Sequence, residues 1–332
     1  MKKHSNLSIF ISHQGCTYKC SFCNQIKINK HDKPPTKQEV YDICNQYLPT
    51  DNRAKNTEIA FFGGSFTAIN RKYMLDLLEV ANSFILNKRA MGIRISTRPD
   101  AIDDEILLIL KKYGVTAIEL GAQSMQDDIL LKNYRGHTAK QVVEASKLIQ
   151  QYGFSLGLQM MTGLYGEEDT MSSAIYTANQ FIKIKPDTVR IYPTLIFKNT
   201  MLENLYIKGI YNAQSLQNAI DVCAVLLELF NDNNINVIRV GLHSDIDMDS
   251  FVSGPFHPAF KQFCESKIYF NKLTNLLKGK NKGEYTFSIP KGELSTVVGQ
   301  KKCNTNAFKN LGYSLSFIEN KNIEHLNITS NQ

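Results

Sequence analysis

Six apolar runs rich in β-formers alternate with stretches of helical spacing, and this alternation restricts the chain more than any other feature. The runs are residues 7–13 (LSIFISH), 58–62 (EIAFF), 92–96 (GIRIS), 117–121 (AIELG), 155–161 (SLGLQMM) and 188–193 (TVRIYP). Between them, helical patterns cover 71–86, 103–114, 138–153 and 170–183, with Gly114 and Gly153 where helix stops belong. Six βα units in series predict a parallel sheet with right-handed crossovers. The strands read as apolar runs rather than strict alternation, which fits burial on both faces. A further helix at 214–232 and a strand at 235–242 close this part.

An open barrel and a flat doubly wound sheet share this pattern, and the position of the polar motifs helps to separate them. Each strand is followed by a chemically pointed segment: GCTYKC, GGSF, TRPD, AQS, TGLYGE and PT. Functional groups at the carboxyl ends of successive strands are the habit of a βα barrel, although open sheets bind ligands there too. The fold expected is α/β, a partial (β/α)6 TIM-type barrel over residues 1–250. Beyond that point the texture changes, and residues 251–332 are expected to form a small lysine-rich α+β extension.

Apolar residues make up 43% of the 332, enough for a large core. The N-terminus has no long apolar segment with a cleavage site, and no stretch reaches the roughly 18 apolar residues of a membrane helix. A cytoplasmic protein without a membrane partner is expected. The net charge of +7 is concentrated late in the chain: ten lysines lie between Lys261 and Lys309, against Glu265, Glu284 and Glu293. Such a run reads either as a face for a polyanion or as a solvated surface.

Seven cysteines make an odd number in a chain too long to need disulfide staples. Cys44, Cys223, Cys264 and Cys303 are scattered and read as free thiols. Cys16, Cys20 and Cys23 fall within eight positions and are metal candidates. Zinc would need a fourth ligand, for which His13 or His31 is available. A ferredoxin-type cluster would need a fourth cysteine, and the nearest, Cys44, lies in a helical pattern. A third arrangement is a [4Fe–4S] cluster with one iron left open.

The CxxxCxxC motif directly after the first strand, with Phe22 before its last cysteine, resembles the signature of the radical S-adenosylmethionine (SAM) superfamily. The resemblance implies a [4Fe–4S] cluster on Cys16, Cys20 and Cys23 whose open iron is chelated by SAM. It also implies reductive cleavage of the sulfonium to a 5′-deoxyadenosyl radical, with electrons from a reductant such as flavodoxin or ferredoxin. It assigns Gly63 and Gly64 to the methionyl amino group, and Gln123 and Arg135 to the ribose and carboxylate. Met161 and Gly163 fall to adenine packing, and Tyr192 to the adenosyl pocket or to simple burial.

The segments STRPD, ELGAQSMQDDIL, RGHT and VRIYPTLIFKNT are most similar to the radical half of the Elongator catalytic subunit, over roughly residues 7–260. That family modifies wobble uridine in transfer RNA with acetyl-CoA. The chain departs from it in cysteine spacing, in Ser96 where the family carries a glutamate cofactor contact, and in a C-terminal part too short for an acetyltransferase domain. Transfer RNA, met through the lysine-rich segment, is the substrate this implies. The alternatives are an oxidoreductase similar to the oxygen-independent coproporphyrinogen oxidases and, in another class, a non-catalytic iron–sulfur binding or sensing protein. The GPFHPAF segment, with His257, reads as a cover over the barrel mouth or as a rigid turn.

Overall fold

The computed structural model describes residues 4–11, 14–16, 19–24, 33–243, 246–323 and 326–331. Seven strands form one sheet in the order β1 (Ser5–Ile11), β2 (Thr57–Gly63), β3 (Gly92–Thr97), β4 (Val115–Gln123), β5 (Ser155–Thr162), β6 (Thr188–Pro193) and β8 (Asn236–Val240). Every neighbouring pair is parallel. The sheet curls into a partial barrel with the expected α/β architecture, and β8 adds a seventh strand beside β6.

The crossovers are α1 (Lys37–Tyr47), α2 (Arg71–Leu86), α3 (Asp104–Lys112), α4 (Asp127–Lys132), α5 (Ala139–Gln151), α6 (Thr170–Ile184), α7 (Met201–Ile207) and α8 (Leu216–Asp232). Their starts are chemically marked. Thr36 with Glu39 and Thr138 with Gln141 form capping boxes, and Asp103 accepts from Ile106 N. Gly114 and Gly153 follow α3 and α5 with φ of 80°, the left-handed conformation that a helix stop of this kind uses.

Both faces of the sheet are buried, but they bury different chemistry. Ile9, Ile59, Ile93, Ile118, Leu156 and Val189 face outward into one apolar core with Leu77, Leu107, Ile149 and Phe181 of the helices. The alternate residues face the lumen, as the two-residue strand period requires. There Glu58, Arg94 and Glu119 are 2%, 7% and 4% exposed. Arg94 Nε donates to Glu58 Oε2 at 2.8 Å and its Nη1 to Glu119 Oε1 at 3.2 Å. Arg190 grips the same Glu119 through Nε (2.5 Å) and Nη2 (2.9 Å). Its guanidinium lies 5.1 Å from the centre of the Phe62 ring, which neighbours Phe10. Side chains thus occupy the lower lumen, with the charges balanced in pairs.

After β7 (Ile196–Phe197) and β9 (Phe251–Ser253), which pair with each other, α9 (Phe260–Leu277) bridges two cores. Phe260 and Cys264 belong to the barrel's core, whereas Leu273 and Leu277 join Phe287, Ile289 and Phe308 in a second one. That second core covers a three-stranded sheet, β11 (Tyr313–Asn320), β10 (Gly283–Pro290) and β12 (Asn327–Asn331), with α10 (Leu294–Val298) and α11 (Cys303–Asn310).

The lysine run does not form one face. Lys261, Lys267 and Lys272 are held by Glu265, Asp221 and Glu228. Because β10 and β11 are parallel, the turns that precede them meet at one end of the small sheet. Gly283 N donates to Gly312 O at 3.2 Å, and Tyr313 Oη donates to Lys280 O at 3.2 Å. Lys278, Lys280, Lys282 and Lys309 gather there, while Lys291, Lys301 and Lys302 lie toward the other end. Among the described residues, no helix is long and apolar enough to cross a membrane.

Candidate cofactor site

The site begins with a close approach of two loops at the carboxyl ends of β1 and β2. Gly64 N donates to Ile11 O at 2.8 Å and Ser65 N to Gln14 O at 2.8 Å. A Cβ on Gly64 would stand 2.2 Å from Gln14 O, and one on Gly15 would stand 2.3 Å from Ser65 O. Neither position admits a side chain, so glycine is what lets the cysteine loop lie on the Gly63–Gly64 turn. The STRPD segment braces the same loop: Arg98 Nη1 donates to Gly15 O at 3.0 Å, and Arg98 N donates to Ser65 Oγ at 2.9 Å.

Cys16, Cys20 and Cys23 share this loop, and Cys23 N closes a turn onto Cys20 O at 3.1 Å. Desolvation pushes the Cys16 thiol above its ordinary value, helped by Cys20, while Arg98 and Arg135 oppose the shift. Among the described residues no three His, Cys, Asp or Glu side chains are close enough to hold a single metal ion. His13 and His31, considered above as zinc ligands, lie outside the described residues.

Three thiols with two guanidiniums beside them suit an anionic iron–sulfur group. At Cys16 both cations favour the thiolate form that metal binding needs, against the larger effect of burial. Arg135 is the nearest of them. Its Nη1 donates to Cys20 Sγ at 2.9 Å and its Nη2 to Gly121 O at 2.5 Å, while its buried Nε has no protein partner.

Arg135 meets β4 at a distortion. The β4–β5 register slips between Gly121 and Gln123, and Gln123 has φ of +69°. A left-handed glutamine inside a strand end is the kind of local strain that functional sites hold. Gln123 is 5% exposed and its Oε1 accepts from Gln159 Nε2 at 3.2 Å. His137 Nε2 donates to Ala122 O at 3.1 Å, which fixes the bulge from behind. Burial, with Arg135 nearby, pushes the His137 imidazole down to about 4, so it is neutral at physiological pH.

Beside this wall, Phe22 packs with Ile129, Met161, Leu164 and Tyr192 in one apolar cluster. Gly163 follows β5 with φ of +72°, where a Cβ would stand 2.8 Å from Gln214 Oε1. Its N–H donates to Glu167 Oε2 at 3.0 Å and its carbonyl accepts from Tyr211 Oη at 2.6 Å. Burial raises the Glu167 carboxyl to about 7. Ser96 is partly buried in β3, in register with Glu119 of β4. His257 is turn structure: its Nδ1 accepts from Ala259 N at 3.0 Å and its ring lies 4.5 Å from that of Phe263.

The structure therefore brings Cys16, Cys20 and Cys23 to the same barrel end as Phe22, Gly63, Gly64, Gln123, Arg135, Met161, Gly163 and Tyr192. Ser96 stands one strand over from Gln123, facing the lumen. Sequence reasoning missed Ser21, Asn133, Tyr211 and Gln214, which bond to partners remote in the chain, and Glu167, whose partner Gly163 N lies four residues away. Of these, Glu167 alone carried a local signal, its place in the TGLYGE segment.

Known proteins give the same picture. Residues 10–175 match the family model described as the radical SAM superfamily, and residues 186–269 match a radical SAM C-terminal domain. Elongator complex protein 3 of Bos taurus is 33% identical over 266 residues, 71% of this chain and 48% of that one. The tRNA uridine(34) acetyltransferase of Methanocaldococcus infernus is 28% identical over 195 residues, 52% of this chain and 35% of that one. The chain thus spans about a third to a half of the length of these curated relatives. Among solved structures, an N-terminally truncated Elp3 of Methanocaldococcus infernus superposes with a TM-score of 0.63 at 20% identity, covering 83% of this chain and 63% of that one. The coproporphyrinogen III oxidase HemN of Escherichia coli gives 0.50 at 16% identity, covering 70% and 53%. Radical SAM enzymes use a [4Fe–4S] cluster and SAM, and both the fold and the three-cysteine loop suit them. On the matched model and the fold together, the chain belongs to the radical SAM superfamily.

Proposed function

We propose that the barrel end described above is a SAM-cleaving centre whose substrate is transfer RNA, modified at or near the wobble uridine. The observation that carries the cofactor part is the convergence of the cysteine loop, the Gly63–Gly64 turn and the Gln123–Arg135 bulge at one mouth of the half-barrel. When bound, the cluster and SAM supply reductive cleavage of the sulfonium and a 5′-deoxyadenosyl radical. The chain's own residues do the rest. Cys16, Cys20 and Cys23 hold the cluster, and Arg98 and Arg135 offset its negative charge. The Gly63 and Gly64 backbone seats the methionyl amino group. Arg135 receives the carboxylate through its unpartnered Nε edge and Gln123 the ribose, with Ser96 facing the same space. Phe22, Met161, Gly163 and Tyr192 enclose the adenine and keep water from it.

Two observations support a macromolecular substrate. The curated relatives include a tRNA uridine(34) acetyltransferase. The lower lumen is occupied by the Glu58–Arg94–Glu119–Arg190 ion pairs and by Phe10 and Phe62, so a substrate meets the site from the mouth. A nucleobase would have to be presented unstacked. Lys278, Lys280, Lys282 and Lys309 supply phosphate contacts from the appended sheet, which we take as a separate unit beginning within α9. A reductant such as flavodoxin or ferredoxin supplies the electron.

The test is anaerobic reconstitution, dithionite reduction and chromatography for 5′-deoxyadenosine. The expected result is SAM-dependent product from the wild type and from Cys303→Ala, and none from Cys16→Ala, which also fails to hold iron. A fully loaded wild-type cluster that yields no 5′-deoxyadenosine would overturn the catalytic reading in favour of a binding or sensing protein. Nucleoside profiles of transfer RNA from cells with and without the protein test the substrate, and unchanged profiles remove it.

A further inference from the structure

Ser21 sits between Cys20 and Cys23 and is 0% exposed. All its hydrogen-bonding groups reach other segments. Its N–H donates to Asn133 O at 3.1 Å, and its carbonyl accepts from Leu202 N at 2.8 Å. Its hydroxyl donates to Asn133 Oδ1 at 2.6 Å. Asn133 is also 0% exposed, and its amide nitrogen donates to Ile129 O at 2.9 Å and to Tyr165 O at 2.8 Å. One side-chain amide thus uses its acceptor and both donors to join the cysteine loop, the end of α4 and the turn after β5. Asparagine is the residue type that supplies this set on so short a stem.

These joined segments are the walls of the cofactor site. Two residues beyond Asn133, Arg135 donates to Cys20 Sγ, so neighbouring residues of the cysteine loop are tied to one short segment. Tyr165 lies two residues beyond Gly163, and Leu202 opens α7. We propose that Ser21 and Asn133 are a positioning pair that holds the cluster loop in register with the SAM-binding wall, an inference that rests on the cofactor reading above. The cysteines alone are enough to hold a cluster. SAM, however, must reach the cluster with one end and Gln123 and Gly163 with the other. A loop free to slide past that wall weakens SAM binding while leaving the cluster in place.

The test compares wild type, Ser21→Ala, Asn133→Ala, the double variant and Ser21→Thr after anaerobic reconstitution. Three quantities are read: iron and sulfide content, SAM affinity by equilibrium dialysis, and the change in the reduced cluster's EPR spectrum on adding SAM. Ser21→Ala is expected to load iron as wild type does and to bind SAM about tenfold more weakly, since it strands a buried amide oxygen. Its EPR response is expected to require correspondingly more SAM. Ser21→Thr, which keeps the hydroxyl, restores both, and the double variant is no worse than Asn133→Ala alone, because that change already removes the Ser21 bond together with those to Ile129 O and Tyr165 O. Wild-type SAM affinity in Ser21→Ala, or additive losses in the double variant, overturns the proposal. Iron loss in Ser21→Ala and Asn133→Ala alike also overturns it, by assigning the pair to loop folding alone. A wild-type protein that loads no cluster overturns the cofactor reading itself, and this inference with it.

Discussion

The Arg135 guanidinium donates to the Cys20 sulfur at 2.9 Å across 115 positions of sequence, and its other amino group holds Gly121 O. One side chain therefore ties the cysteine loop to the strained end of β4. Arg135→Ala removes both bonds. It should lower unfolding stability by about 2 kcal/mol, as loss of a buried charged hydrogen bond does. It should also reduce 5′-deoxyadenosine formation far more than cluster loading, as read by denaturant titration beside the cleavage assay.

Gly64→Ala is expected to damage the cysteine loop directly. Its Cβ would meet Gln14 O at 2.2 Å and Ile11 O at 2.7 Å, both backbone atoms that cannot rotate away. The strain should cost about 2 kcal/mol or more, and iron incorporation should fall. Gly153→Ala is a control for space: nothing stands within 4 Å of its Cβ, so its effect comes from φ of +80° alone.

Glu119→Ala leaves the buried Arg94 and the half-buried Arg190 without their shared carboxylate. Breaking one partner of a buried ion network costs about 3–5 kcal/mol, which urea unfolding would register as a large drop in midpoint. Glu119→Gln, which keeps an acceptor, should lose less.

The Glu167 carboxyl, raised by burial to about 7 against an ordinary 4.5, gives a pH signature. Between those values the folded state holds a proton that the unfolded chain has released, so stability falls as pH rises through this window. Glu167→Gln should flatten that fall, as checked by thermal unfolding at a series of pH values. A variant with the wild-type slope would show that another group is responsible.

Replacing Lys278, Lys280, Lys282 and Lys309 together by glutamine should weaken transfer RNA binding and flatten its salt dependence. Each lost phosphate contact reduces the slope of log affinity against log salt by roughly 0.7 to 0.9. The same exchange at Lys261, Lys267 and Lys272, whose charges are held by carboxylates, should change the slope little.

The strands, most helices and the order of the motifs were legible because they are local. Apolar period, capping residues such as Thr138 and stop glycines such as Gly114 act within one turn or strand of where they are written. The residues that support the site were not legible for the opposite reason. Asn133 is an ordinary polar residue in NYRGHT until the fold sets Ser21 and Tyr165 beside it. Arg94, Glu119 and Arg190 lie far apart in the sequence, each within an apolar strand, and only the curl of the sheet brings them together to cancel one another. The lysine run was open to either reading in the sequence; in the fold its ten charges are divided between ion pairs and two ends of a small sheet.

The sequence alone determined the succession of βα units, the three-thiol loop and the glycines that let it form, since each depends on backbone conformation and short-range pattern. Tertiary structure decided what those pieces face. Parallel pairing brings all the strand ends to one mouth, where side chains remote in the chain come within hydrogen-bond reach. A hydrogen bond extends about 3 Å, and that range is satisfied between Ser21 and Asn133 only after the sheet has curled and its loops have come together.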